Sequence, residues 1–227
     1  MKTLAIIPAK GRSVSVPRKN LAPVCGKPLI WYTLDCAKRA TRIDRLIVST
    51  EDDEIAAVAE AEGVCVERRP ERLTLDDTDT LDALRWHLFQ QDAAFDAVLC
   101  LQPTCPLTTP DDIDGAIELM EAKPCNCVIS VRECQDDHPA RMYRLSMVGE
   151  FLVPLDAENE RTRRQLLPKR FHRTGDIYLV TPAVLDLGRY FDIRPWFIGE
   201  DRHCNVDGPL DLVWARKRVS MLTGVST

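Results

Sequence analysis

Between Ile7 and Asn20 the chain reads IPAKGRSVSVPRKN. One glycine, two serines and four cations (Lys10, Arg12, Arg18, Lys19) follow directly on the apolar run Leu4-Ala5-Ile6-Ile7. A buried strand running into such a loop is what a polyphosphate requires. Backbone N–H groups and hydroxyls donate to its oxygens, and lysine or arginine offsets its charge. The loop has neither the lysine spacing of a P-loop nor the three glycines of a dinucleotide fingerprint. From its residues alone it reads as a phosphate site or as a solvated basic loop between a strand and a helix. Two more groups of side chains have chemical potential. Gln102 follows an apolar run and offers an amide donor and acceptor, or simply stands in a loop turned by Pro103 and Pro106. Arg163 and Arg164 fit planar carboxylate recognition or a solvated basic face with Arg161, Lys169 and Arg170.

These residues need a frame, and the apolar periodicity supplies one. Strands are expected at Leu4–Pro8, Arg45–Ser49, Val64–Glu67, Ala97–Leu101, Cys127–Val131 and Ile177–Val180. Helices are expected at Pro28–Arg39, Asp53–Glu62 (closed by Gly63), Thr80–Asp92, Pro110–Ala122 and Pro209–Arg218. The alternation predicts an α/β fold, a three-layer, mostly parallel sheet with helices on both faces. Ligands of such sheets sit beyond the carboxyl ends of strands. That condition marks the loop after Pro8, the loop after Thr50, and Gln102-Pro103-Thr104. From Glu133 to Arg173 the pattern weakens into prolines, charges and short apolar pairs, read as an insertion with one or two hairpin strands inside a single domain spanning 1–227.

Composition limits the partners. The chain has 227 residues, 45% hydrophobic and 29% charged, with a net charge of −5. No basic surplus is available to neutralise many phosphates, so nucleic acid is not an expected partner. No apolar stretch reaches membrane-spanning length, and the opening residues read as a strand rather than a secretory signal. The nine cysteines are scattered and odd in number. They fit unpaired thiols in a reducing cytoplasm. Cys125-Asn126-Cys127 lacks the spacing of a zinc or redox pair.

Five segments together resemble the acylneuraminate cytidylyltransferase family. The first loop resembles the family's IPARGGSKGIPRKN. LQPTCPLTTPDDID (Leu101 to Asp114) resembles its QPTSPLR segment, and HPARMYRL (His138 to Leu145) its HP segment. RRQLLPKRFHRTGDIYLV (Arg163 to Val180) resembles the RRQ…NGAIYI stretch, and CNVDGPLDL (Cys204 to Leu212) the closing DID-x-x-x-D-L. The resemblance implies a Rossmann-like fold of the nucleotide-diphospho-sugar transferase type. It also implies CTP and a sialic-acid-like sugar acid as substrates, Mg²⁺ as cofactor, and a homodimer formed through residues 133–173.

Carried over residue by residue, the resemblance implies that Lys10, Lys19 and Asp207 act on the triphosphate. It implies nucleotide contacts from Ala9, Gly11, Ser13, Asn20, Arg69 and Thr80. Gln102, Thr104, Arg163 and Gln165 are implied at the sugar acid. Several positions depart from the family text. Lys10 replaces an Arg, Arg12 a Gly and Val14 a Lys; Cys105 replaces a common Ser, and Thr108 a frequent Arg. Asn205 stands where the first of two metal-holding Asp is usual, so the metal is expected on Asp207 with Asn205 as a neutral oxygen ligand. Asp176 stands where the family has Ala, and is expected to compensate at the metal or to contact an altered sugar. Thr80 reads equally as a base contact or, with Asp79, as a helix cap. His138 reads as a structural turn residue.

The resulting expectation is attack by a sugar-acid hydroxyl on the α-phosphorus of CTP, with pyrophosphate leaving. Two alternatives stay open. One is a nucleotidylyltransferase for another nucleotide or an aminosugar phosphate, GTP-dependent for example. The other is a non-catalytic nucleotide-binding relative.

Overall fold

Along Thr3–Pro8 (β1) the side chains alternate between two buried environments. Leu4 and Ile6 enter one apolar cluster, Ala5 and Ile7 another. A strand with no polar face must lie inside a sheet covered on both sides. A computed structural model, which describes residues 1–75 and 78–224, shows that arrangement.

The remaining elements run in chain order. Pro23–Val24 (β2) and Lys27–Pro28 (β3) form a small hairpin, followed by Leu29–Arg39 (α1), Arg45–Thr50 (β4), Asp53–Ala61 (α2) and Cys65–Arg68 (β5). Next come Thr80–Phe89 (α3), Ala97–Cys100 (β6), Pro110–Ala122 (α4) and Cys127–Glu133 (β7). A second hairpin, Tyr143–Leu145 (β8) with Leu152–Pro154 (β9), precedes Phe171–Val180 (β10). Pro182–Leu187 (α5), Ile193–Phe197 (β11) and Pro209–Thr223 (α6) complete the order.

Seven strands form the central sheet in the order β11-β7-β10-β6-β1-β4-β5. All neighbours are parallel except β10, which runs antiparallel to β6 and β7. Helices α1, α2 and α4 cover one face through residues such as Ile30, Leu34, Ile55 and Ile113. The opposite face receives Leu81 and Leu84 of α3 and Val184 and Leu185 of α5. Helix α6 packs instead with Val24, Leu29 and Val206 in a third cluster. That cluster brings residues 204–207 beside the first loop.

The expected elements are present with ends shifted by a few residues. β10 starts six residues earlier than the expected strand at Ile177, and β2, β3, α5 and β11 have no counterpart in the sequence reading. The segment 133–173 contains one hairpin, as expected of the insertion. Six of the nine cysteines are buried. Burial pushes the Cys36 and Cys100 thiols up to about 12, so they stay protonated and serve as packing.

Candidate active site

The carboxyl ends of β1, β5 and β6 open onto a cleft of about 470 Å³. Its lining separates into three chemical zones. Lys10, Arg12, Ser13 and Lys19 of the first loop form a basic wall. Arg69, Leu73, Thr78, Thr80 and Ala83 form a half-apolar end. Gln102, Thr104 and Asp207 form the third side.

The basic wall is held by its own sequence and by the loop after β4. Asn20 is buried and donates from Nδ2 to the Lys10 carbonyl at 3.0 Å, tying the two ends of the loop. Gly11 N–H donates to Glu51 Oε1 at 2.7 Å. Asp52 caps α2 by accepting from Ile55 N–H at 3.0 Å and pairs with Arg18. A Cβ on Gly11 would lie 2.3 Å from Asp52 Oδ2, so the glycine allows close approach and is not there for a left-handed backbone. The loop after Thr50, expected to serve function, does so here by bracing the basic loop. Ser13 lines the cleft and also accepts from Val16 N–H at 3.4 Å, which shapes the turn.

Lys19 reaches across to the opposite wall. Its Nζ donates to the Val206 carbonyl at 2.9 Å and lies 3.6 Å from Asp207 Oδ1. Residues 19 and 207 thus converge from opposite ends of the chain. Asp207 remains largely exposed, with a carboxylate directed at the cleft. Asn205 turns its amide nitrogen to Asp207 Oδ2 at 2.8 Å, while its oxygen lies 3.8 Å from Cys105 Sγ. As placed, the site offers one carboxylate to a cation, and Asn205 adds an oxygen only if its amide turns over. No cluster of three or more His, Cys, Asp or Glu arranged for a metal occurs among the described residues. One carboxylate still suits magnesium, which commonly takes its other ligands from phosphates and water.

At the half-apolar end, Arg69 is buried and bonded to Ser49 and Leu73. Burial lowers its pKa, and the nearby Glu51 opposes that shift. Asp79, not Thr80, caps α3 by accepting from Leu81 N–H at 2.9 Å. The Thr80 side chain is therefore spared the capping role and faces the cleft. Residues 76 and 77, between Arg69 and Thr80, lie outside the described residues.

The third side is shaped by an irregularity in β10. Arg173 pairs with Val131 and Tyr178 with Ile129, so five steps on β10 answer two on β7. Gly175, at φ +91°, occupies the bulge, where a Cβ would lie 2.8 Å from Gln102 Oε1. Only glycine combines that backbone with that approach.

Not all of the expected site residues meet in the cleft. Ala9 and Gly11 lie beside it, with their amides committed to Ser49 O (2.9 Å) and Glu51. Arg163 and Gln165 sit exposed on the insertion, outside the cleft lining. Asp176 is also outside it, buried in the bulge, where its Oδ1 accepts from Thr108 Oγ1 at 3.0 Å. Burial raises the Asp176 pKa, opposed chiefly by hydrogen bonds from Thr174 and Thr108. The carboxylate thus faces the threonine that stands where the family often has Arg. His138 caps a short turn, accepting from Ala140 N–H at 3.0 Å and meeting Pro168 O at 2.9 Å, in keeping with a structural part. The sequence reading missed Ser49, Glu51, Asp52, Glu67 and His87, all of which reach the site through Arg69 or the basic loop. A polar His87 one position before Leu88, on a helix spaced by Leu81 and Leu84, was the available signal.

A cytidylyltransferase family model matches residues 4–173. The chain belongs to the cytidylyltransferase family. Members similar to it include CMP-N,N'-diacetyllegionaminic acid synthase of Legionella pneumophila, 39% identical over 123 residues. That match covers 52% of this chain and 53% of the relative, about half the length of each. Pseudaminic acid cytidylyltransferase of Campylobacter jejuni is 27% identical over 224 residues, covering 95% of both chains. In fold, this cytidylyltransferase superposes on CMP:2-keto-3-deoxy-manno-octonic acid synthetase complexed with CTP, with a TM-score of 0.75. That likeness covers 99% of this chain and 100% of the other at 17% identity, and so concerns the fold alone.

Proposed function

We propose that this cytidylyltransferase joins CMP from CTP to a sialic-acid-like (nonulosonic) sugar acid and releases pyrophosphate. The observation carrying this reading is the 3.6 Å approach of Lys19 and Asp207 within one cleft, between a basic loop and a half-apolar end. The zones match the parts of the reactants. The triphosphate lies along Lys10, Ser13 and Lys19. The base enters between Leu73 and Thr80, with Arg69 at its edge. The sugar acid sits by Gln102 and Thr104. The names of the similar proteins support the substrate class: CMP-N,N'-diacetyllegionaminic acid synthase and pseudaminic acid cytidylyltransferase.

In this reading a hydroxyl of the sugar acid attacks the α-phosphorus, the bond to the bridging oxygen breaks, and pyrophosphate departs. Lys10 and Lys19 stabilise charge that grows on the phosphate oxygens. Most of the acceleration comes from holding hydroxyl and phosphorus in line. The Asp207 carboxylate is placed to hold Mg²⁺ together with the phosphates, with Asn205 as an auxiliary oxygen. A bound Mg²⁺ supplies charge neutralisation at the phosphate oxygens.

The functional unit in this reading is a homodimer. Leu145, Met147, Val148, Phe151 and Leu152 on and beside the β8–β9 hairpin are exposed, and so are Leu166, Phe171 and Phe197. An apolar surface of that extent is characteristic of an interface. Arg163 and Gln165 lie on the same insertion, placed to serve the cleft of a second copy. No described helix is long and apolar enough to cross a membrane. The unpaired cysteines favour the cytoplasm as the site of the reaction.

The test is a panel of CTP, UTP, GTP and ATP with Mg²⁺, followed by pyrophosphate release with several nonulosonic acids. Turnover with CTP and one such acid is the expected result. Preference for GTP with an aminosugar phosphate would move the activity to another nucleotidylyltransferase. Saturable CTP binding without pyrophosphate release would make the protein a binder, the reading that Asn205 favours.

A further inference from the structure

Behind Arg69 lies a chain of buried polar groups that the reaction as described does not use. Arg69 Nε donates to Ser49 Oγ at 3.0 Å. Ser49 Oγ lies 2.5 Å from His87 Nε2, and His87 Nδ1 lies 2.8 Å from Glu67 Oε2. Ser49, on β4, and His87, on α3, are both completely buried. Glu67, on β5, is anchored from outside by Gln91 Nε2 at 3.0 Å and Arg45 Nη2 at 3.3 Å. Three elements on one side of the sheet thus contribute one side chain each to a line that ends in the cleft.

Serine, histidine and carboxylate in this order are also the parts of a nucleophilic triad. That role is closed to them here, because the Ser49 hydroxyl is sealed and covered by the Arg69 guanidinium. The hydrogen-bond directions indicate another use. The Glu67 carboxylate accepts from Nδ1–H, which leaves Nε2 as an acceptor. Ser49 then donates its hydroxyl hydrogen to Nε2 and presents a lone pair to Arg69 Nε–H. Every bond points the same way, from arginine to glutamate. Burial lowers the His87 pKa despite the opposing pull of Glu67, in accord with the neutral ring this direction needs. With Nη2 on Ser49 O at 3.1 Å and Nη1 on Leu73 O at 3.4 Å, the guanidinium plane is held at three points. Its remaining N–H groups are left for the cleft.

We infer that Glu67 and His87 are positioning residues that act through Ser49 to fix the Arg69 guanidinium against the nucleotide base. The inference rests on the assignment of Arg69 to the base side of the cleft. It makes base recognition depend on a histidine that touches no substrate.

The test compares CTP with inorganic tripolyphosphate, which engages the basic loop but has no base. Binding of each is measured by calorimetry for wild type, His87→Leu, His87→Gln and Glu67→Ala. In His87→Leu the expected loss for CTP is about tenfold, as for one buried hydrogen bond to a charged group. Tripolyphosphate binding should change less than about twofold by the same reasoning. His87→Gln keeps an acceptor near the Nε2 position and should restore most of the CTP affinity. A His87→Leu protein that binds CTP like wild type, or that loses CTP and tripolyphosphate equally, overturns the inference. If His87→Leu fails to fold, Glu67→Ala, which removes the acceptor for Nδ1–H, provides the same ratio from a side chain nearer the surface. If wild type prefers another nucleoside triphosphate, the cytidylyl reading fails, and the relay is judged by the same ratio with that nucleotide.

Discussion

Gly11→Ala should damage the protein through a side chain on another element. The new methyl carbon would stand 2.3 Å from Asp52 Oδ2, 2.7 Å from its Cβ and 2.8 Å from its Cγ. A carboxylate tip could swing away, but a Cβ moves only with its backbone. Asp52 is also the cap of α2, so displacement loses the bond to Ile55 N–H. A lost cap costs about 1 kcal/mol, and forced overpacking about 2 kcal/mol. The exposed Arg18–Asp52 pair adds little. The sum is about 3 kcal/mol, or a fall in Tm of roughly 9 °C for a chain of this length. The assay is thermal melting of wild type, Gly11→Ala, Asp52→Gly and the double variant. Glycine preserves most of an N-cap's worth, and it removes all three clashing atoms. Gly11→Ala should therefore cost less than about 1 kcal/mol in the Asp52→Gly background, a coupling of about 2 kcal/mol. Strict additivity, or a Gly11→Ala melt within about 2 °C of wild type, would refute the reasoning.

Lys19→Met should lower kcat for pyrophosphate release by about a hundredfold, the scale for losing one preorganised charge; an unchanged rate would remove Lys19 from the triphosphate. Asn205→Asp adds a second carboxylate beside Asp207 and should reduce the Mg²⁺ needed for half-maximal rate, read by titrating Mg²⁺ at saturating substrates. Asp176→Asn isolates a buried carboxyl. Because the folded-state pKa of Asp176 is raised above the ordinary aspartate value of 3.8, its stabilising contribution is complete below pH 3.8 and is lost as pH rises through the raised value. The Tm of Asp176→Asn minus wild type should therefore grow from pH 3.8 towards neutrality; a pH-independent difference would contradict that burial. The same variant should keep its Mg²⁺-dependent turnover, since Asp176 faces Thr108 outside the cleft.

Much of the frame was present in local pattern. Short continuous apolar runs such as Ala97-Val98-Leu99-Cys100 fit covered strands, and Pro110-Asp111-Asp112 ahead of a periodic segment fits a helix start, so sheet class and helix positions followed from run length, periodicity and caps. The basic loop was equally local, because Lys10, Ser13 and Lys19 are close in sequence and carry their chemistry in their side chains. What the chain order could not convey was direction and distance. An isolated apolar segment such as Ile177–Val180 pairs equally well either way, and β10 runs antiparallel because the chain re-enters from the insertion at the carboxyl end of β7, where Phe171 pairs with Glu133. Arg163, Gln165 and Asp176 had suitable chemistry, but the insertion carries the first two outward and the bulge at Gly175 buries the third. Ser49 and Glu67 carry no signal in sequence and His87 only that of a polar group beside Leu88, and each lies on a different element. They become one unit only when β4, β5 and α3 pack, because a hydrogen bond depends on separations of about 3 Å that no linear spacing encodes.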